Sequence, residues 1–235
     1  MSTMNMNSLR AVLEEGPEPD IVAGAVSDDG NVEVVLRNLP NALIGLMRQY
    51  EAAVGCVAWL THFDILDAMA RLKSVAVIVQ KEDFLRPDIG QWSDWKNTLR
   101  RKYNALSGIE RYGYGKCIVP GLSYCGDPSL DGVRCVGNHN TDKDPAFPRA
   151  HHKFLVLGDL EPRGEGYEDL FIPRAVWTGS FNFTLNANRS FENAVILHDP
   201  KIVDAFYQEW AHLMSLSEPL DWTSDWVAPE FRIGS

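Results

Sequence analysis

An α/β fold, with a mixed, largely parallel β-sheet flanked by helices on both faces, is predicted by three features of the sequence. Short β-rich apolar runs alternate with helical patterns from residue 32 to 80. The runs VGCVAWL and VAVIVQ are apolar on every side, as strands covered on both faces require. A chain of 235 residues that is 45% hydrophobic can bury a substantial core, which favours one compact domain.

The elements follow in order. Residues 1–31 are acidic and punctuated by Gly and Pro (EEGPEPD, SDDG), which reads as a flexible acidic arm before a single domain spanning 32–235. VEVVL predicts the first strand. PNALIGLMRQYEAA predicts a helix with Pro40 in its first turn, and VGCVAWL, FDILDAMARL and VAVIVQ continue the pattern as strand, helix and strand.

Residues 91–106 place Trp92, Trp95, Leu99, Tyr103 and Leu106 at helical spacing, with Lys96, Arg100, Arg101 and Lys102 on the remaining faces. That basic helix, with its interleaved aromatics, is a candidate substrate-binding element for a phosphate backbone and its bases. An amphipathic core helix with a solvated basic face is the simpler alternative.

Residues 108–148 are rich in Gly, Pro, Asp and Asn and predict a loop-rich insert with short strand fragments. Order returns with the strand HKFLVL, a loop, the strand AVWTG, a turn at SFNFT, the strand NAVIL and the helix DPKIVDAFYQEWAHLM. Asp199 caps that helix and Pro200 takes its first position.

Composition bounds the function. Twenty-two basic residues against 32 acidic ones give a net charge of −10, which argues against broad adhesion to DNA or anionic membranes but leaves room for a local basic patch. The first ten residues lack the apolar run of a signal peptide, and no stretch of about 18 apolar residues occurs, so a cytoplasmic protein without membrane insertion is expected. Four cysteines without a CxxC pair fit reduced thiols. A zinc staple from Cys117, Cys125, Cys135 and His139 is chemically conceivable, although its spacing matches no tight knuckle; the chemistry described next needs no metal or cofactor.

The chemistry concentrates in two short segments, HHKFLVLGD at 151–159 and WTGSFNFT at 177–184, followed by Glu192 in SFENAVIL. On a strand, alternation puts His151 and Lys153 on one face and Phe154 and Val156 on the other; His152 turns away. Ser180 and Asn182, just past a strand ending at Gly179, can donate to anionic oxygen. These groups suit phosphodiester cleavage, in which a neutral histidine attacks phosphorus while Lys and Asn hold the nonbridging oxygens. Glu192 is the candidate to orient the histidine through its second ring nitrogen.

HxK followed by GSxN and a downstream Glu resembles the HKD motif of the phospholipase D superfamily, and TGSFNFT is similar to its small single-motif bacterial endonucleases. The resemblance spans roughly residues 150–210 and is compatible with the pattern from 32 to 80. It implies a phospholipase D-like α-β-α sandwich and a twofold homodimer that completes the site. One His151 would form a phosphohistidine, and the other would protonate the leaving alkoxide and then activate water. The family's Asp, five positions after the Lys, falls on Gly158 here. Asp159, one position later, is expected to substitute through a small bulge, in what is mainly a structural role in the family.

The resulting expectation is a metal-independent phosphodiesterase, first of all a homodimeric nuclease acting on DNA or RNA. The alternatives are a hydrolase or transferase of phospholipids or other small phosphodiesters, and a noncatalytic nucleic-acid-binding or scaffold subunit. A regulatory or delivery protein partner is a further expectation for a small nuclease with an acidic arm.

Overall fold

The computed structural model describes residues 23–81, 94–106, 131–137, 147–162, 164 and 169–220. The elements run β1 (Gly24–Val26), β2 (Val32–Val35), α1 (Leu39–Met47), β3 (Ala52–Val57), α2 (Phe63–Met69), β4 (Ser74–Gln80), α3 (Asp94–Asn104), β5 (Val133–Val136), β6 (Lys153–Glu161), β7 (Leu170–Gly179), a 3-10 turn (Ala187–Arg189), β8 (Ala194–Leu197), α4 (Pro200–Leu216) and β9 (Glu218–Pro219).

The strands form one nine-stranded sheet in the order β1-β2-β8-β7-β6-β3-β4-β5-β9. The sheet is mixed, as expected, but most of its pairs are antiparallel, which corrects the expectation that it would be largely parallel. Parallel pairing joins only β3 to β4 and β4 to β5, and every other pair is antiparallel. The cause is the connections: a helix returns the chain from β3 to β4 on one face, whereas among the described residues no helix longer than one 3-10 turn lies between β6, β7 and β8, and each reverses direction.

Alternation along the strands divides the core into two layers. On one side Ala53, Val57, Val75, Val77, Leu155 and Trp177 pack against Leu43 and Met47 of α1, Ile65 and Met69 of α2, and Leu99 and Tyr103 of α3. On the other side Val54, Cys56, Ile78, Phe154 and Val156 pack against Val203, Tyr207, Trp210 and Met214 of α4. Helices therefore cover both faces.

The local signals explain where elements stop and start. Asp199 Oδ1 accepts from the amides of Lys201 and Ile202 at 2.9 and 3.1 Å, with Pro200 in the first turn of α4. Helix α1 starts from Asn38, held at φ 52°, and closes by Met47, earlier than its sequence pattern runs. Residues 24–26, read from sequence as part of the arm, pair with β2 as an edge strand. Their side chains are exposed, so only the backbone ladder ties them down and no apolar periodicity announces them.

Candidate active site

The antiparallel register gathers the chemistry-bearing residues at one end of the sheet. Lys153 opens β6 opposite Val57, the last residue of β3. Phe154 pairs with Thr178, and Gly179, the last residue of β7, pairs with Ala194 at the start of β8. The segments carrying His151, Ser180, Asn182 and Glu192 all leave the sheet at that edge.

The side chains meet there. Lys153 Nζ lies 3.0 Å from His151 Nδ1 and 3.3 Å from Nε2, and donates to the His151 carbonyl at 2.7 Å. Burial pushes the Lys153 ammonium below the ordinary lysine range, against the opposing charges of Glu192 and Cys56. Ser180 Oγ donates to Glu192 Oε2 and accepts from the Asn193 amide at 3.1 Å. Asn182 is half-buried, with its Oδ1 covered and without a hydrogen-bond partner. The arrangement offers an imidazole, an ammonium, a carboxamide and a hydroxyl with its carboxylate, all suited to an anionic tetrahedral group.

His152 does turn away: it lies edge-on to Phe154, 5.6 Å between ring centroids, with Nε2 3.3 Å from Glu209 of α4. Gly158 owes its identity to a close backbone approach, because a Cβ there would stand 2.1 Å from the Ile172 carbonyl oxygen. An aspartate has no room at that position. At the same point the β6–β7 register shifts, Leu157 facing Ala175 and Gly158 facing Pro173, so Arg174 is the extra residue of a bulge on β7. Asp159 accepts from Arg174 Nε at 2.9 Å. Six residues along the strand from Lys153, about 20 Å away, that carboxylate is out of reach of a phosphate held by the ammonium.

Three braces tie the candidate site to the rest of the fold. Gln80 is buried at the end of β4, and its Oε1 accepts from the Ala150 amide at 2.6 Å, fixing the chain just before His151. The amides of Thr61 and His62 both donate to the Phe183 carbonyl at 2.8 Å, fixing the turn that holds Asn182. The His62 ring is buried, its Nδ1 lacks a partner, and desolvation lowers its pKa against the pull of Asp64. The one sequence signal was Gln80 itself, a polar end to an otherwise apolar strand.

The basic helix is less available than its sequence suggests. Lys96, expected on a substrate-facing surface, is 5% exposed; the apolar stripe through Leu99 and Tyr103 carries it inward. Lys102 is paired with Asp67 at 2.6 Å and lies 5.3 Å from the Phe63 ring. Arg101 is exposed and Arg100 half-buried. Of the zinc-staple residues, Cys117, Cys125 and His139 lie outside the described residues. Cys135 is buried on β5, its thiol directed at the carbonyls of Glu218 and Pro219 at 3.7 and 3.9 Å and pushed up to about 12 by desolvation. Among the described residues no cluster of three metal-ligating side chains occurs, and no helix is long and apolar enough to cross a membrane.

No family model matches the chain. A protein of Acanthamoeba polyphaga mimivirus, described as uncharacterized protein L381, is 26% identical over 204 residues, spanning 83% of this chain and 69% of that protein. Among solved structures the chain is similar to the phospholipase D family member Nuc from Salmonella typhimurium, with 17% identity, 82% of this chain and 98% of that one covered, and a TM-score of 0.46. It is also similar to NucT from Helicobacter pylori, with 13% identity, 78% and 96% covered and a TM-score of 0.44. Phosphatidylserine synthase from Haemophilus influenzae is 15% identical, with 90% and 45% covered and a TM-score of 0.45.

Proposed function

We propose that the chain is a metal-independent phosphodiesterase, and specifically a homodimeric nuclease that hydrolyses DNA or RNA through a phosphohistidine at His151. The observation that carries the reading is Lys153 Nζ beside the His151 ring, at the sheet edge that also bears Ser180, Asn182 and Glu192.

In this reading a neutral His151 nitrogen attacks phosphorus, and the P–O bond to the leaving nucleotide breaks as the P–N bond forms. Lys153 and Asn182 donate to the nonbridging oxygens as charge develops on them. Ser180 and Glu192 form a hydrogen-bonded pair, Glu192 acts electrostatically on Lys153, and in this reading Glu192 is the carboxylate that orients the ring. His151 of the partner subunit protonates the leaving alkoxide, then takes a proton from the water that hydrolyses the phosphohistidine. A twofold axis makes the two histidines interchangeable until substrate binds.

A gel series on single- and double-stranded DNA and RNA, with EDTA and with a His151→Ala control, tests this. Chelator-resistant cleavage that disappears in the variant is the expected result. Cleavage retained by a folded His151→Ala chain would sink the mechanism, and turnover of phosphatidylcholine in place of nucleic acid would replace the substrate.

A further inference from the structure

The loops around the candidate site carry an unusual share of the exposed apolar surface. Seven large apolar side chains are exposed among the described residues, and four of them, Trp59, Phe147, Leu185 and Phe191, sit on the segments that leave the sheet at the His151 edge. Phe147 and Phe191 are 73% and 71% exposed, more apolar surface than core packing calls for, on the two segments that flank β6 and β8 at this edge. Trp59 follows Ala58, whose amide donates to the His152 carbonyl at 2.9 Å, so continuing the β3–β6 register sets Trp59 across from His151.

Charge on these segments runs against the rest of the chain. Residues 147–153 and 180–193 hold three basic side chains, Arg149, Lys153 and Arg189, and one acidic, Glu192, in a protein of net charge −10. The two sides carry the same pair of residues in opposite order, Phe147-Pro148-Arg149 ahead of β6 and Arg189-Ser190-Phe191 ahead of β8, each placing an exposed ring two positions from a guanidinium. A polyanion whose phosphates alternate with flat bases matches that alternation. A zwitterionic lipid surface would use the rings and leave the guanidinium groups without a counterpart.

We infer that Phe147, Phe191 and Trp59, with Arg149 and Arg189 beside them, form a base-stacking rim that selects single-stranded nucleic acid at this site. The inference rests on the nuclease reading and names its substrate class. Bases of a duplex are stacked on one another and cannot lie on a protein ring, whereas an unpaired strand offers each base face next to the phosphate held at Lys153. An acidic chain gains little long-range attraction for phosphates, so binding falls to stacking and to the local arginines.

The test is binding by the full-length His151→Ala chain, followed by fluorescence anisotropy. The probes are a labelled single strand, the same strand made abasic, its duplex, and phosphatidylcholine vesicles. The single strand is expected to bind about tenfold more tightly than the abasic strand or the duplex, and Phe191→Ala to remove most of that difference, an effect of the size base–aromatic stacking supplies. Phe191→Trp should restore it and Phe191→Leu should not, since leucine keeps apolar area but lacks a π face. Equal affinity for base-bearing and abasic strands overturns the inference. So does preferential vesicle binding, rescue by leucine, or a Phe191→Ala chain whose only change is a shift from dimer to monomer in light scattering. If wild-type protein cleaves nucleic acid through His151 while the abasic comparison fails, the rim is wrong and the nuclease reading stands; absence of any His151-dependent cleavage removes the reading beneath it.

Discussion

The two halves of the sheet divide the labour. In β3-β4-β5 the strands are parallel and largely buried and apolar, Ser74, Gln80 and Arg134 apart, and that half contributes braces: the Gln80 side chain and the amides of Thr61 and His62. In β6-β7-β8 the strands are antiparallel, and every residue proposed for the chemistry stands on or beside the ends of those three. Short connections let antiparallel strands return their side chains to the same edge, while crossover helices hold the parallel half rigid behind them. The site is made by one half and held by the other.

That division can be broken most directly at His151. If His151 is the proposed nucleophile, His151→Ala is expected to lower nucleic-acid cleavage by about a thousandfold or more while leaving the thermal midpoint within error, because an exposed side chain contributes little to packing. Asn182→Ala should cost about a hundredfold in kcat through the loss of one donor to the developing charge, read in single-turnover assays. An unchanged rate would remove Asn182 from the site.

The alkaline side of the pH profile sharpens the electrostatic part. In the proposed mechanism the ammonium of Lys153 is the working form; burial lowers its pKa, so activity should fade as pH rises at a lower pH than an ordinary lysine would give. Glu192 raises that pKa, and Glu192→Gln should therefore move the alkaline limb to still lower pH. A shift in the other direction would show that Glu192 does not act on Lys153.

The supporting half responds in stability. Gln80→Ala strands a buried amide at Ala150 and should cost about 1–3 kcal/mol in denaturant unfolding, with a partial loss of cleavage as the chain before His151 loosens. Asp159→Ala is the smallest change: an exposed pair with Arg174 is worth about 0–1 kcal/mol, and cleavage should persist at near wild-type rate. Full inactivation by Asp159→Ala would give the shifted aspartate a larger role than its distance from Lys153 allows.

Much of this was legible in the residues. The face shared by His151 and Lys153, the reversal at His152, the cap at Asp199 and the strand endings at Gly179 follow from alternation and local chemistry, which act within a few residues. Lys96 was misread because helical spacing places it among basic neighbours, while only packing against the sheet decides which stripe turns inward. Gln80 could not be assigned because its partner, Ala150, lies seventy positions away.

By itself the sequence determined the α/β class, the two chemistry-bearing segments and the sides to which their residues point, since each is a matter of short-range periodicity. Only the tertiary structure decided the strand order, the predominance of antiparallel pairing, the close approach of the Ile172 carbonyl that keeps position 158 a glycine, and the exposure of Phe147 and Phe191. Those depend on which distant segments come to lie side by side, and hydrogen-bond register between such segments is not encoded within either one alone.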